Sequence, residues 1–218
     1  MLTTQNQEEL FTLISKGLHR KLVCYAFGGN AMMYYGYKDE TKDVDILFEQ
    51  EEERTEFRRR LEELGYKETS PVTIYIPEKL RDKNRPLMLV RDDGGRFDLF
   101  VQKIFHTLLS PSMKENVFAV HEFRGQQTLS VKVLRKEHIV ILKAVTSREN
   151  DFRDILTIIS REKNFDWPFL LEEVRWQHAH GDGWVLLDVE EMMKRLKEYV
   201  FIPERWFKEL YAVGKRKK

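Results

Sequence analysis

The chain has 218 residues, of which 42% are hydrophobic and 33% charged, with 37 lysines and arginines against 36 aspartates and glutamates. That is enough material for one large core or two modest ones, and no apolar stretch approaches the roughly 18–20 residues needed to cross a bilayer as a helix. Residues 1–100 hold 16 basic and 19 acidic groups and the remainder 21 and 17, a division too even to require a polyanionic partner.

In chain order, "MLTTQNQEELF" has neither a basic leader nor an apolar segment behind it, so the expectation is a cytoplasmic protein without a secretory signal. "NQEELFTLISKGLH" places Leu10, Phe11, Leu13 and Ile14 at helical intervals. "LVCYAF" then reads as a strand in which Cys24, the single cysteine, is a small buried thiol. A Gly28–Gly29 turn leads into a short helix, and "DVDILF" forms a second strand. "EEERTEFRRRLEELGY" is a helix with Phe57, Leu61 and Leu64 on one side and Gly65 as its stop. Its arginines are interleaved with Glu56, Glu62 and Glu63, which suits a solvated face better than a nucleic-acid contact.

Further strands follow at "VTIYI", "LMLV", "RFDLFV", "VFAVHEF" and "LSVKVL". Asp-Asp-Gly-Gly between "LMLV" and "RFDLFV" makes those two an antiparallel hairpin. From "RKEHIVILKAV" onward helical spacing dominates, with helices expected at about 135–147, 149–162, 167–178, 188–200 and 203–213, Pro168 and Pro203 lying in first turns. His178 and His180 end one of these helices, a simpler account than a metal site. The four tryptophans are mainly packing residues, with room for one or two exposed ones to stack on a base, and the basic residues after Gly214 form a frayed tail. The fold class is α+β: a mixed sheet flanked by helices in residues 1–134, and a carboxy-terminal helical domain, 135–218, packed on it.

Two acids interrupt the apolar strand "DVDILF". Side chains two apart share a face, so Asp43, Asp45 and Leu47 lie opposite Val44, Ile46 and Phe48. Adjacent carboxylates repel each other unless a cation lies between them, and hard cations such as Mg²⁺ bind through one or two carboxylates together with substrate phosphates. Asp98, in "GRFDLFV", is a third acid in an apolar strand. If that strand lies beside 43–48, three carboxylates converge, enough for a two-metal site suited to phosphoryl transfer. The Gly28–Gly29 turn and the helix start after it offer close backbone approach and N–H groups to an anion such as a triphosphate.

Taken together, Phe27, Gly28 and Gly29, a thirteen-residue spacer, then Asp43, Val44 and Asp45 resemble the signature of the polymerase β-like nucleotidyltransferase superfamily. The likeness is greatest to its small archaeal and bacterial branch, which includes toxin-type enzymes of abortive-infection systems. It implies a nucleotidyltransferase-type fold and transfer of a nucleoside monophosphate from an NTP to a hydroxyl on RNA or tRNA, a protein or a small molecule. Mg²⁺ or Mn²⁺ would be held by Asp43, Asp45 and Asp98. Gly28, Gly29, Asn30, Lys38 and Thr41 would serve the nucleotide, and a cognate antitoxin or toxin partner would accompany the protein. By the same resemblance Lys143, Arg148, Asp151 and Asp154 fit a further pattern of that branch, in which Lys143 would contact nucleotide phosphates and Asp151 would help organise that lysine or the arginine; the other reading is an interhelical salt-bridge cluster. Relatives carry an arginine four residues before the first acid, where this chain has Asp39, with Lys38 one position earlier as the substitute. The alternative function is a nucleotide-binding antitoxin or adaptor without catalysis.

Overall fold

The computed structural model describes residues 1–70 and 85–215; the run 72–76, read above as a strand, and the last three residues of the basic tail lie outside them. The chain divides into two compact units, Met1–Phe105 with Asn116–Leu134, and His106–Glu115 with Arg135–Lys218. The expected boundary after residue 134 therefore needs a correction for residues 106–115, which go with the helices. Side chains of helix Trp167–His180 tie that segment down. Gln177 brackets Leu108, accepting from its N–H at 2.9 Å and donating to its carbonyl at 2.7 Å, while Ser110 donates to Glu173 at 2.9 Å.

The first unit begins with β1 (Leu2–Thr3) and α1 (Thr4–Ser15), whose first turn is closed by a reciprocal Thr3–Asn6 capping box. Then come β2 (Leu22–Phe27), α2 (Gly28–Tyr34), β3 (Glu40–Thr41), β4 (Asp43–Phe48), α3 (Glu51–Glu63), β5 (Lys67–Thr69), β6 (Leu87–Val90), β7 (Arg96–Val101) and β8 (Lys103–Ile104). After β9 (Thr107–Leu108), which belongs to the second unit, β10 (Val117–Arg124) and β11 (Thr128–Leu134) complete the first. Seven strands lie side by side in the order β10-β11-β2-β4-β7-β6-β5, and the sheet is mixed. β4 runs parallel to β7 and β11 parallel to β2, whereas the β6–β7 and β10–β11 hairpins and the β2–β4 pair are antiparallel.

One face of this sheet is the core. Leu22, Cys24 and Ala26 of β2, Val44, Ile46 and Phe48 of β4, and Phe97 and Leu99 of β7 cluster with Leu10, Phe11 and Ile14 of α1 and Phe57 and Leu61 of α3. Phe57 links the layers, its ring 5.3 Å from Phe48 and 5.8 Å from Phe97. Each such side chain contributes about 1.5–3 kcal/mol on burial. Pinning alternate residues of β4 and β7 into this layer turns Asp43, Asp45 and Asp98 to the other face. Cys24 is fully buried, and burial pushes its thiol well above the ordinary range, as a packing thiol requires.

In the second unit, helices run over Lys136–Ala144, Glu149–Arg161, Trp167–His180, Trp184–Leu196 and Glu204–Lys215. The helix expected at 188–200 lies four residues earlier at both ends, Trp184–Leu196, and the Asp182 carboxylate just ahead of it accepts from the Trp184 N–H at 3.1 Å. His178 and His180 sit in the last turn of their helix, and Gly181 follows it, donating its N–H to Gln177 at 2.8 Å. Among the described residues no helix is long and apolar enough to cross a membrane.

Candidate active site

The acidic face is assembled by strand register. In the parallel β4–β7 pair Asp45 lies directly opposite Asp98, and Asp43 opposite Arg96. Residues in register on neighbouring strands share a face of the sheet, so Asp43 and Asp45 of β4 and Arg96 and Asp98 of β7 form one patch. Asp43 and Asp45 are half-buried, and Asp98 is 1% exposed. On the far side of β7, Met88 is the antiparallel partner of Asp98; on the near side of β4, Phe27 is that of Asp45. An apolar border thus flanks the carboxylates on both sides.

The glycine turn leads straight off Phe27. Gly28 has φ +64°, a conformation that L side chains rarely adopt, and a Cβ there would collide with the Asp45 carboxylate. A Cβ on Gly29 would come 2.5 Å from the Thr41 hydroxyl. Both glycines are therefore needed to bring the turn against β3 and β4, a packing demand made by this chain itself. Asn30 is fully buried, and its Oδ1 accepts from the Asp45 N–H at 3.1 Å. Its Nδ2 is buried with no hydrogen-bond partner among the described residues, a cost of about 1–3 kcal/mol. Thr41 is buried and donates to Asp43 at 3.4 Å. Lys38, half-buried, precedes β3, with the exposed Asp39 beside it.

The sequence reading omitted Arg96. Its guanidinium pairs with Asp43, donates from Nη2 to Asp98 Oδ2 at 3.3 Å, and brings Nε to 3.0 Å from Asp98 Oδ1. That Nε contact is close enough for an ion pair but is not aligned as a hydrogen bond. One signal was available: Arg96 precedes Asp98 by two in a strand, so the two share a face. What the sequence lacked was the β4–β7 register that sets Arg96 opposite Asp43.

Lys143, Arg148 and Asp151 belong to the second unit and form a cluster of their own. Lys143 donates to Asp151 and Asp154, both at 2.7 Å, and is 7% exposed. Asp151 also accepts from Thr146 and from Arg148 Nε, each at 2.6 Å. Burial pulls the Lys143 ammonium toward neutrality, but its two carboxylates outweigh this and hold its pKa above the usual lysine range. Burial raises Asp151, yet Lys143 and Arg148 bring it down to about 2. The cavity that Lys143 and Arg148 line with Phe152, Asp188 and Arg195 measures about 70 Å³, well below the ~300–1,000 Å³ of ligand pockets. This is the salt-bridge arrangement that the residues alone suggested.

Hard carboxylate oxygens suit a divalent cation, and the face already gathers a cation in the form of Arg96. As the side chains stand, no group of three or more His, Cys, Asp or Glu among the described residues is arranged to hold a metal ion. The donor chemistry of Asp43, Asp45 and Asp98, three carboxylates, fits a hard cation, and Arg96 lies against two of them.

No family model matches the chain, and no curated protein matches it. Among solved structures it is similar to the lincosamide antibiotic adenylyltransferase LnuA in its lincomycin-bound form, at 17% identity, over 64% of this chain and 87% of that one, with a TM-score of 0.40. At that level neither activity nor acceptor carries over from one chain to the other.

Proposed function

We propose that this protein transfers a nucleoside monophosphate from an NTP to an acceptor hydroxyl. The acceptor oxygen bonds to the α-phosphorus, the bond from that phosphorus to the oxygen bridging to the β-phosphate breaks, and pyrophosphate leaves with that oxygen. The observation that carries this reading is the register that sets Asp45 against Asp98 with Asp43 beside them, on a strand face next to a two-glycine turn. Asp43 and Asp45 would hold the divalent cation with the triphosphate, and Asp98 would complete the carboxylate set and take up the proton of the attacking hydroxyl. When bound, Mg²⁺ or Mn²⁺ supplies neutralisation of the charge on the phosphate oxygens.

The chain's own residues do the rest. Gly28 and Gly29 keep the turn bare of side chains, and Asn30 fixes β4 through its bond to the Asp45 N–H while leaving an Nδ2 donor over. Thr41 stands beside the turn, and Thr41 and Lys38 would be further groups for the triphosphate. Catalysis of this kind rests on positioning and charge neutralisation, with no covalent enzyme intermediate. Lys143, Arg148 and Asp151 are assigned to holding helices 136–144 and 149–161 together; Arg148, with 48% of its side chain exposed, is the member best placed to meet a ligand as well. RNA or tRNA ends, a protein hydroxyl and small hydroxylated molecules are the acceptor classes to try, and a toxin–antitoxin setting belongs to the same proposal. One observation favours the second reading, a nucleotide-binding adaptor or antitoxin without transfer: Arg96 already neutralises Asp43 and Asp98.

The test is to incubate the protein with each labelled NTP, Mg²⁺ or Mn²⁺, and total RNA and protein as acceptors, beside Asp43→Ala and Asp45→Asn. Transfer by the wild type that drops roughly 100-fold or more in both variants is expected. Metal-dependent thermal stabilisation by an NTP with no transfer to any acceptor would favour the adaptor. Neither stabilisation nor transfer would end the nucleotide reading.

A further inference from the structure

We infer that Arg96 is a built-in counter-ion that a divalent cation must displace from Asp43 and Asp98, so that this side chain sets how tightly the acidic face takes metal and couples metal binding to nucleotide binding. The inference rests on the nucleotidyl-transfer reading of the face. Its physical basis is the position of the guanidinium, paired with Asp43 on the neighbouring strand and with Asp98 two residues on. A metal ligated by those carboxylates needs the same oxygens. An arginine cannot yield them by losing its proton, because guanidinium stays charged at any ordinary pH. It must swing away.

The pair is more open at Asp43 than at Asp98. The Asp98 side chain is 2% exposed, that of Arg96 19% and that of Asp43 28%. Water and ions reach the Asp43 end, so exchange starts there, with the Asp98 contact released last. A cation arriving alone leaves the displaced guanidinium without an anion and gains little over the pair it breaks. A cation arriving with a triphosphate gives the guanidinium new oxygens on the same face, in the charge-assisted geometry arginine favours. Metal and nucleotide should therefore bind with positive coupling, and Arg96 is the source of that coupling.

The experiment is calorimetric titration of Mn²⁺ into the wild type, Arg96→Gln, Arg96→Lys and Asp43→Asn, with and without a non-hydrolysable NTP analogue. Without nucleotide, Arg96→Gln should bind Mn²⁺ roughly tenfold tighter than the wild type, with Arg96→Lys between them, since an ammonium is a point charge that does not fork across two carboxylates. The analogue should tighten Mn²⁺ binding in the wild type far more than in Arg96→Gln. Equal or weaker Mn²⁺ binding by Arg96→Gln overturns the inference. If that variant fails to fold by circular dichroism, Arg96→Lys binding no tighter than the wild type overturns it instead. Equal binding by all three Arg96 forms, abolished by Asp43→Asn, would remove the gate and leave the transfer reading standing. No Mn²⁺ binding by any form, with or without the analogue, would remove both.

Discussion

The molecule holds two ion clusters that look alike on paper and differ in kind. Lys143 in the second unit is clamped by Asp151 and Asp154 with side chains 7%, 7% and 13% exposed, all drawn from two helices consecutive in the chain. Arg96 in the first unit bridges Asp43 and Asp98 at a partly open strand face, and its partner Asp43 lies 53 residues away. A buried pair is held in place because breaking it strands a charge in a low-dielectric interior. A pair with one partner open to water, as Arg96 has in Asp43 with 28% of its side chain exposed, is less firmly fixed. The first cluster fastens two helices; the second is the one proposed above to meet a ligand.

The comparison breaks most readily at Lys143. Lys143→Met removes the ammonium that the nearly buried Asp151 and Asp154 share, Asp151 keeping its contact with Arg148, and urea unfolding should show a loss of about 3 kcal/mol. Mn²⁺ binding by the remaining folded protein should be unchanged. A loss under about 1 kcal/mol would mean that the helical cluster is as exchangeable as the strand one.

Acid sharpens the contrast next. The Asp151 carboxyl is held at about 2 in the folded protein, below the ~3.9 of an unfolded aspartate, so the unfolded chain takes up this proton first. The stabilisation, about 2 kcal/mol, is full above pH ~4 and fades as the pH falls toward 2. Urea midpoints measured from pH 5 down to pH 2 should fall more gently in Asp151→Asn, which starts lower and has no such proton to gain.

Gly28→Ala comes third. The left-handed backbone costs an alanine about 1–2 kcal/mol, and its methyl would displace the Asp45 carboxylate. Thermal unfolding should register the first effect and nucleotide-dependent stabilisation the second. An alanine tolerated in both assays would mean that the turn is not held against Asp45.

The smallest effect belongs to Arg124→Ala. Arg124 pairs with Glu122 at 2.9 Å with side chains 80% and 43% exposed, and its loss should change stability by less than about 0.5 kcal/mol. This marks the floor against which the two clusters are measured.

Much of the scaffold was legible in the residues because it is local. Short β-rich runs put strands at Leu22–Phe27, Asp43–Phe48 and Arg96–Val101, where they lie, and in Asp43–Phe48 the period of two that follows from the pleat sorts acids from core residues. The Asp-Asp-Gly-Gly turn made β6 and β7 a hairpin for the same reason. An ion cluster of Lys143 with Asp151 and Asp154 was one of two readings of those residues, and the ion pairs are present across the two helices. Harder to read was helix Trp184–Leu196, which starts and ends four residues before the expected bounds and follows Gly183 with no side-chain cap from it. The segment 106–115 was assigned to the wrong unit because Gln177 and Glu173, more than sixty residues on, decide where it packs.

By itself, then, the sequence determined which segments become strands and helices, and which faces of those strands are apolar, because both follow from the spacing of side chains along one stretch of chain. It also determined that acids must lie on the face of β4 opposite the core. Only the tertiary structure decided that β4 and β7 are parallel neighbours in the register that sets Asp45 against Asp98 and Arg96 against Asp43. Register between strands more than fifty residues apart is chosen by how the whole apolar face packs on α1 and α3, a sum over many contacts that no single stretch of residues contains.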